Sequence, residues 1–238
     1  MIVTNSKRKV NTLPGLLEFI IVITASLGYF IYSALQYTHF SDSNATVISF
    51  GDAEIFHMLQ YECTVLVFLF LFLKFQGRNF KSLGLSFSLD KITHGLILFI
   101  SNYIVYLLLF RVFGDFLIST SNETSSAGVV AYSINLSLLP LLLFSIINPI
   151  FEELILVGYI VSVAGKRFGL IITVIISVLF RLSFHVYQGP LILLTILPMG
   201  ILFTVYFWYK RSIIPLTIGH GVMDFLSFYV FMLSQGTN

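Results

Sequence analysis

The stretch LSLLPLLLFSIINPIFEELILVGYIVSVA, residues 136–164, decides the fold. It is longer than the roughly 20 apolar residues that a membrane-crossing helix needs. Yet its middle holds two adjacent carboxylates, Glu152 and Glu153. An ionised side chain at that depth costs at least ~2.5–3.5 kcal/mol on insertion scales, so it is a candidate for function. Pro149 removes one backbone hydrogen bond and predicts a kink three residues before the pair.

Outward from this stretch the whole chain has the same character. Of its 238 residues 57% are hydrophobic and 10% are charged, against about 25% charged in a soluble domain. There is too little polar surface to cover a water-soluble globule, and no basic patch or glycine-rich phosphate loop that would suit a nucleic acid. The single cysteine, Cys63, excludes an internal disulfide and reads as a buried thiol. Seven apolar segments are expected to span, at about 15–36, 57–76, 92–113, 136–164, 168–187, 190–209 and 212–234. Turns are marked by Gly165-Lys166-Arg167, Gln188-Gly189-Pro190 and Lys210-Arg211. The fold class is therefore an all-α polytopic transmembrane bundle of about seven spans.

Basic residues set the expected orientation. Lys7, Arg8 and Lys9 precede the first segment. Lys74, Arg78, Lys81 and Lys91 lie between the second and third, Lys166 and Arg167 between the fourth and fifth, Lys210 and Arg211 between the sixth and seventh. The other loops hold almost none, which predicts a cytoplasmic N-terminus, an outside C-terminus and a multi-pass protein of the cell membrane.

Several ionisable residues have ordinary readings. Glu18 lies close to the cytoplasmic basic cluster, Glu62 reads as a structural partner, and His39, His57 and His94 fall near span ends. The remaining group differs. Arg181 and His185 are four apart in the fifth span, and His220 and Asp224 four apart in the seventh, so each pair shares a helix face. Three helices thus carry buried ionisable groups, and a bundle hides them by turning them toward one another or toward a wet cavity. Two carboxylates and two imidazoles can activate a water and protonate a leaving group. No serine or cysteine sits in a recognisable nucleophile setting, and there is no HExxH pair. Glu152, His185 and His220 would form a His₂Glu zinc set with an open position, so spacing alone leaves a metal-free site and a Zn²⁺ site both open.

Phe151-Glu152-Glu153-Leu154-Ile155-Leu156-Val157-Gly158 resembles the first motif of the CPBP family, which includes CAAX prenyl endopeptidases of the Rce1 type and bacterial Abi-type proteins. The second family motif ends in a histidine on the next helix, as Ser177 to His185 does here. The third is a histidine with Asn or Asp four residues on, as in His220-Gly221-Val222-Met223-Asp224. The resemblance covers residues 136–234 as a four-helix core; residues 1–135, with three spans, match nothing in it. It implies an intramembrane endopeptidase acting on a membrane-associated peptide or protein, in contact with lipid and not with nucleic acid. Glu152 would be the general base and Glu153 its support. His185 would help hold the water, and His220 and Asp224 would stabilise the oxyanion or orient the site. A metal-free, glutamate-dependent reaction is the favoured form of that mechanism.

The family's arginine position is Val157 here. Arg181, on the neighbouring helix, could supply the missing cation; otherwise the site has kept its fold and lost its chemistry. The competing functions are a non-catalytic membrane regulator or bacteriocin self-immunity protein and a small carrier. Straight helices would set His220 nearer the cytoplasmic face and His185 nearer the outer one, a mismatch that tilt and the Pro149 kink can reduce.

Overall fold

The structure, a computed structural model, describes residues 15–39, 47–124 and 131–235. Lys7, Arg8 and Lys9 lie outside them. The long helices are α1 (Gly15–His39), α2 (Asp52–Phe75), α3 (Asp90–Thr124), α4 (Leu138–Glu152), α5 (Ile160–His185), α6 (Ile196–Lys210) and α7 (Ile214–Gln235). A π-helical turn, Glu153–Tyr159, joins α4 to α5. By length and composition six runs can cross a membrane, one of them the 51-residue run Leu138–Gln188.

That long run merges the expected fourth and fifth spans, and it is not straight. Gly169 breaks it at φ 74° and ψ −177°, a conformation open to glycine and strained for other residues. The break was expected at Gly165-Lys166-Arg167 and falls two residues later. Gly165 stays helical because it is a packing glycine: a Cβ there would lie 2.8 Å from Trp208 of α6. Two helical segments therefore meet at Gly169.

Large apolar side chains point outward, among them Leu108, Val112, Ile171 and Leu179, each at least 60% exposed. On a soluble protein such a surface would be a liability; around a membrane bundle it is the lipid-facing side. The most buried segment is the π-helical turn, where Leu154, Ile155, Leu156, Val157 and Tyr159 have no exposure. Cys63, expected to be buried, is exposed on α2, because successive helical residues point about 100° apart and its neighbour Glu62 takes the inward direction.

Three departures concern the loops. α2 begins at Asp52 and α3 continues to Thr124, beyond the expected segments. The residues before α2 and α4 form strands β1 (Val47–Gly51) and β2 (Ala131–Asn135), which pair in parallel with Ser49 opposite Ser133. Asp52 ties the two helix starts together by accepting from Ser137 N at 2.7 Å and Ser137 Oγ at 2.6 Å. This fixes α2 against α4, along which it packs.

Glycines set the position of α7. Gly219 faces α3, where a Cβ would lie 3.0 Å from Gly95 O. Gly221 faces α4, where a Cβ would overlap Ser145 O. Pro149 has no N–H to return to that carbonyl, so the α4 backbone is open there and α7 lies directly on it, a close approach that small residues permit between membrane helices. His220 stands between the two contacts.

Candidate active site

The polar cluster is built from three backbone features. Pro149 opens α4, the π-helical turn starts at Glu153, and the Gly219–Gly221 pair brings α7 in. A π turn inserts an extra residue into the helical repeat, a feature frequent at functional sites. Its displaced backbone is supported from α5: Ser177 Oγ donates to Leu156 O at 2.7 Å, and Thr204 Oγ1 donates to Ser177 Oγ at 3.0 Å. Glu152 and Glu153, consecutive at the start of this turn, reach the same cluster.

Arg181 joins them from α5. Its Nη2 donates to both oxygens of Glu153 at 2.8 Å, and its Nη1 to Glu152 Oε2 at 3.2 Å. The guanidinium is fully buried. Gly200 of α6 packs closely on α5 here, where a Cβ would lie 3.2 Å from Val178 Cγ2 and 3.5 Å from Arg181 Cδ. Val157 is buried in the apolar core, and both carboxylates are engaged by this planar cation from α5. Removing one member of such a buried pair costs about 3–5 kcal/mol, because the partner's charge stays behind unpaired.

His220 links the pair to α7. Its Nδ1 donates to Glu153 Oε1 at 2.8 Å, and its Nε2 lies 3.5 Å from Asp224 Oδ1. Asp224 Oδ2 in turn accepts from Asn148 Nδ2 at 3.1 Å. Asn148 had no role in the sequence reading. The available signal was its place four residues before Glu152, an amide on the same face of an apolar span.

His185 stands at the end of α5. Gln188 Nε2 donates to its Nδ1 at 3.2 Å, which leaves Nε2 to carry the hydrogen in a neutral ring. That nitrogen is buried and has no partner among the described residues. Glu152, His185, His220 and Asp224 all line one cavity of about 950 Å³. Both histidines thus reach one cavity despite the difference in depth expected from straight helices. Glu153 lies behind the wall, completely buried. Glu152 Oε1 accepts no hydrogen bond among the described residues. The rest of the wall is largely apolar and aromatic, with Tyr29, Phe144, Phe184 and Phe228 among its residues. His57, expected near a span end, also lines it.

Donor atoms of Glu152, Glu153 and His220 lie within 4.8 Å of one another, the spacing of a metal site. His185 is not in that group, so the His₂Glu set is not the one drawn together. The fit to zinc is poor for a chemical reason: Arg181 already occupies both oxygens of Glu153 and one of Glu152. A dication at the same focus would have to displace a guanidinium that is itself sealed in the core.

The other two acidic residues left with ordinary readings behave differently from each other. Glu18 accepts from Arg78 Nη1 at 2.6 Å and from Tyr159 OH at 3.3 Å. Glu62 is completely buried, and neither of its carboxyl oxygens has a partner among the described residues.

No curated protein and no solved structure matches the chain. Residues 134–226 match the family model described as type II CAAX prenyl endopeptidase Rce1-like. That segment, which supplies the π turn and the cluster of Glu152, Glu153, Arg181, His185, His220 and Asp224, is where this multi-pass membrane chain is similar to the CAAX-type membrane proteases of the CPBP family.

Proposed function

We propose that the protein is an active intramembrane endopeptidase that hydrolyses a membrane-associated peptide or protein with a water activated by Glu152. One observation carries this reading. Glu152, His185, His220 and Asp224, from three helices, line a single cavity inside the bundle, and Glu152 meets it with Oε1 uncommitted.

Each side chain has a part that follows from its bonds. Arg181 holds Glu152 by Oε2, which turns Oε1 to the reacting water. Oε1 takes one proton as the water oxygen adds to the peptide carbonyl carbon. The C–N bond then breaks, and Glu152 passes the proton to the departing amine nitrogen, leaving an amine and a carboxylic acid. Glu153 neutralises the remainder of Arg181 and orients His220 through Nδ1. The His185 Nε2–H has no acceptor among the described residues and can hold the water or the carbonyl oxygen. Asp224, held by Asn148, orients the Nε2 side of His220. An ionised carboxylate accepts and does not donate, so the oxyanion is served by His185 and not by Asp224.

The proposal needs no metal, because Arg181 supplies the positive charge that the paired glutamates require. The distribution of basic residues favours a cytoplasmic N-terminus, and the cell membrane is the location we infer. A purified sample offered a library of membrane peptides tests the function. Mass spectrometry should find discrete cleavage products with wild type and none with Glu152→Gln or His220→Ala. If wild type yields no products while both variants retain biological function, the chain is the non-catalytic regulator or self-immunity protein of the same family.

A further inference from the structure

Glu62 lies near the middle of α2, outside the matched segment. It is fully buried, and among the described residues neither of its carboxyl oxygens has a hydrogen-bond partner. Leaving such a group unsatisfied costs about 1–3 kcal/mol, and more if it is charged. A carboxyl group that serves packing alone would be bonded as Glu18 is, to an arginine and a tyrosine.

Its surroundings point to the active site. α2 packs along α4. Met58, one turn before Glu62, and Tyr61, next to it, form part of the cavity wall. The charged groups that act on Glu62 are Glu152 of α4 and then Asp224 and His220 of α7. From α1, Tyr29 stands against Tyr61 with ring centroids 5.2 Å apart. Glu62 is thus a buried carboxyl group beside residues of the cavity wall, within electrostatic reach of the reacting cluster.

We propose that Glu62 is a positioning residue of this site, a third carboxyl group that exchanges a proton with Glu152 and Asp224 through water between α2, α4 and α7. The inference rests on the hydrolytic reading above. Hydrolysis uses one water. One of its protons leaves on the amine by way of Glu152, and the other stays on the new carboxylic acid. That second proton has to leave a pocket walled by apolar helices before the next turnover. The new carboxylic acid gives it to Glu152 or Asp224 and leaves as a carboxylate; Glu62 takes it on from there and returns it to water in the cavity, so the site regains its starting charge with no other reactant consumed.

The test uses the full chain in lipid nanodiscs, as wild type, Glu62→Gln, Glu62→Leu, Glu62→Asp and Glu152→Gln, each checked by thermal melting. Kinetics are read on a peptide that wild type cleaves. Infrared spectra follow the carboxyl carbonyl band that Glu62→Gln removes. Glu62→Gln and Glu62→Leu should lower kcat roughly tenfold or more, short of the ~10²–10⁴-fold of a direct acid or base. KM should not change, the pH profile should be displaced, and Glu62→Asp should recover part of the rate. The infrared band should shift in Glu152→Gln.

A folded Glu62→Leu protein with wild-type kcat and pH profile overturns the proposal, and so does a band indifferent to Glu152→Gln. If Glu152→Gln abolishes cleavage in that case, the protease reading stands without it. If wild type cleaves nothing and the band still shifts, proton exchange at Glu62 stands and the protease reading fails. With neither cleavage nor a shift, both fail.

Discussion

Among the described residues two arginine–carboxylate clusters sit in this bundle, and they are built to opposite ends. Arg78 and Glu18 join the loop after α2 to the start of α1, with Tyr159 bonded to the same carboxyl oxygen. That arginine is 28% exposed, so water shares the work, and all of its partners are engaged in holding segments together. Arg181 with Glu152 and Glu153 is sealed at the centre, reaches on through His220 to Asp224, and faces a cavity. The same pair of residue types therefore serves as a strap at one level of the bundle and as part of a buried polar cluster beside a cavity at another. Burial and access to a cavity make the difference.

The largest expected break in this comparison is Arg181→Ala. It strands two carboxylates in the core and should destabilise the protein by about 3–5 kcal/mol, read as lost expression or as a steep fall in melting temperature in detergent. Arg181→Lys should recover only part, since an ammonium cannot fork to two carboxylates as a guanidinium does. A stable, active Arg181→Ala protein would remove the argument that this arginine stands in for the cation absent at Val157.

Gly221→Ala should come next. Its new Cβ would overlap Ser145 O on a backbone that has no room to give, at a cost of about 1–3 kcal/mol. Because α7 carries His220 and Asp224, this variant should also lower cleavage more than its stability loss accounts for. An unchanged rate would mean that the close α4–α7 contact does not set the site. The smallest effect belongs to Arg78→Ala at the strap. This pair is partly open to water, so its loss should cost well under that of the sealed cluster, and cleavage should persist. A loss at Arg78 as large as that at Arg181 would erase the distinction between the two clusters.

The sequence made the helical bundle and most of the cluster legible, because charge in an apolar run is costly enough to be noticed. Glu152, His185, His220 and Asp224 were found that way, and the cavity they line is the arrangement that cost predicts. What stayed hidden depends on distant contacts. Gly165 and Gly169 flank the same basic pair, and only the packing of Trp208 against Gly165 decides which one breaks the helix. The π turn leaves no residue signature, since it is a shift of backbone register supported by Ser177 from another helix. Asn148 is uncharged and drew no attention, although its amide holds Asp224. Glu62 was visible as a charge, but its closeness to Glu152 depends on how α2 packs against α4, which periodicity does not reveal. The β1–β2 pair joins segments about eighty residues apart, and no local pattern announces it.

The most direct test of the central claim is the cleavage rate of one identified membrane peptide, measured for wild type with and without a strong chelator and for Glu152→Gln. The account predicts a wild-type rate that the chelator leaves intact and a Glu152→Gln rate lower by about 10²–10⁴-fold, with both proteins melting at similar temperatures. Cleavage that survives Glu152→Gln, or that the chelator abolishes and added zinc restores, would contradict it.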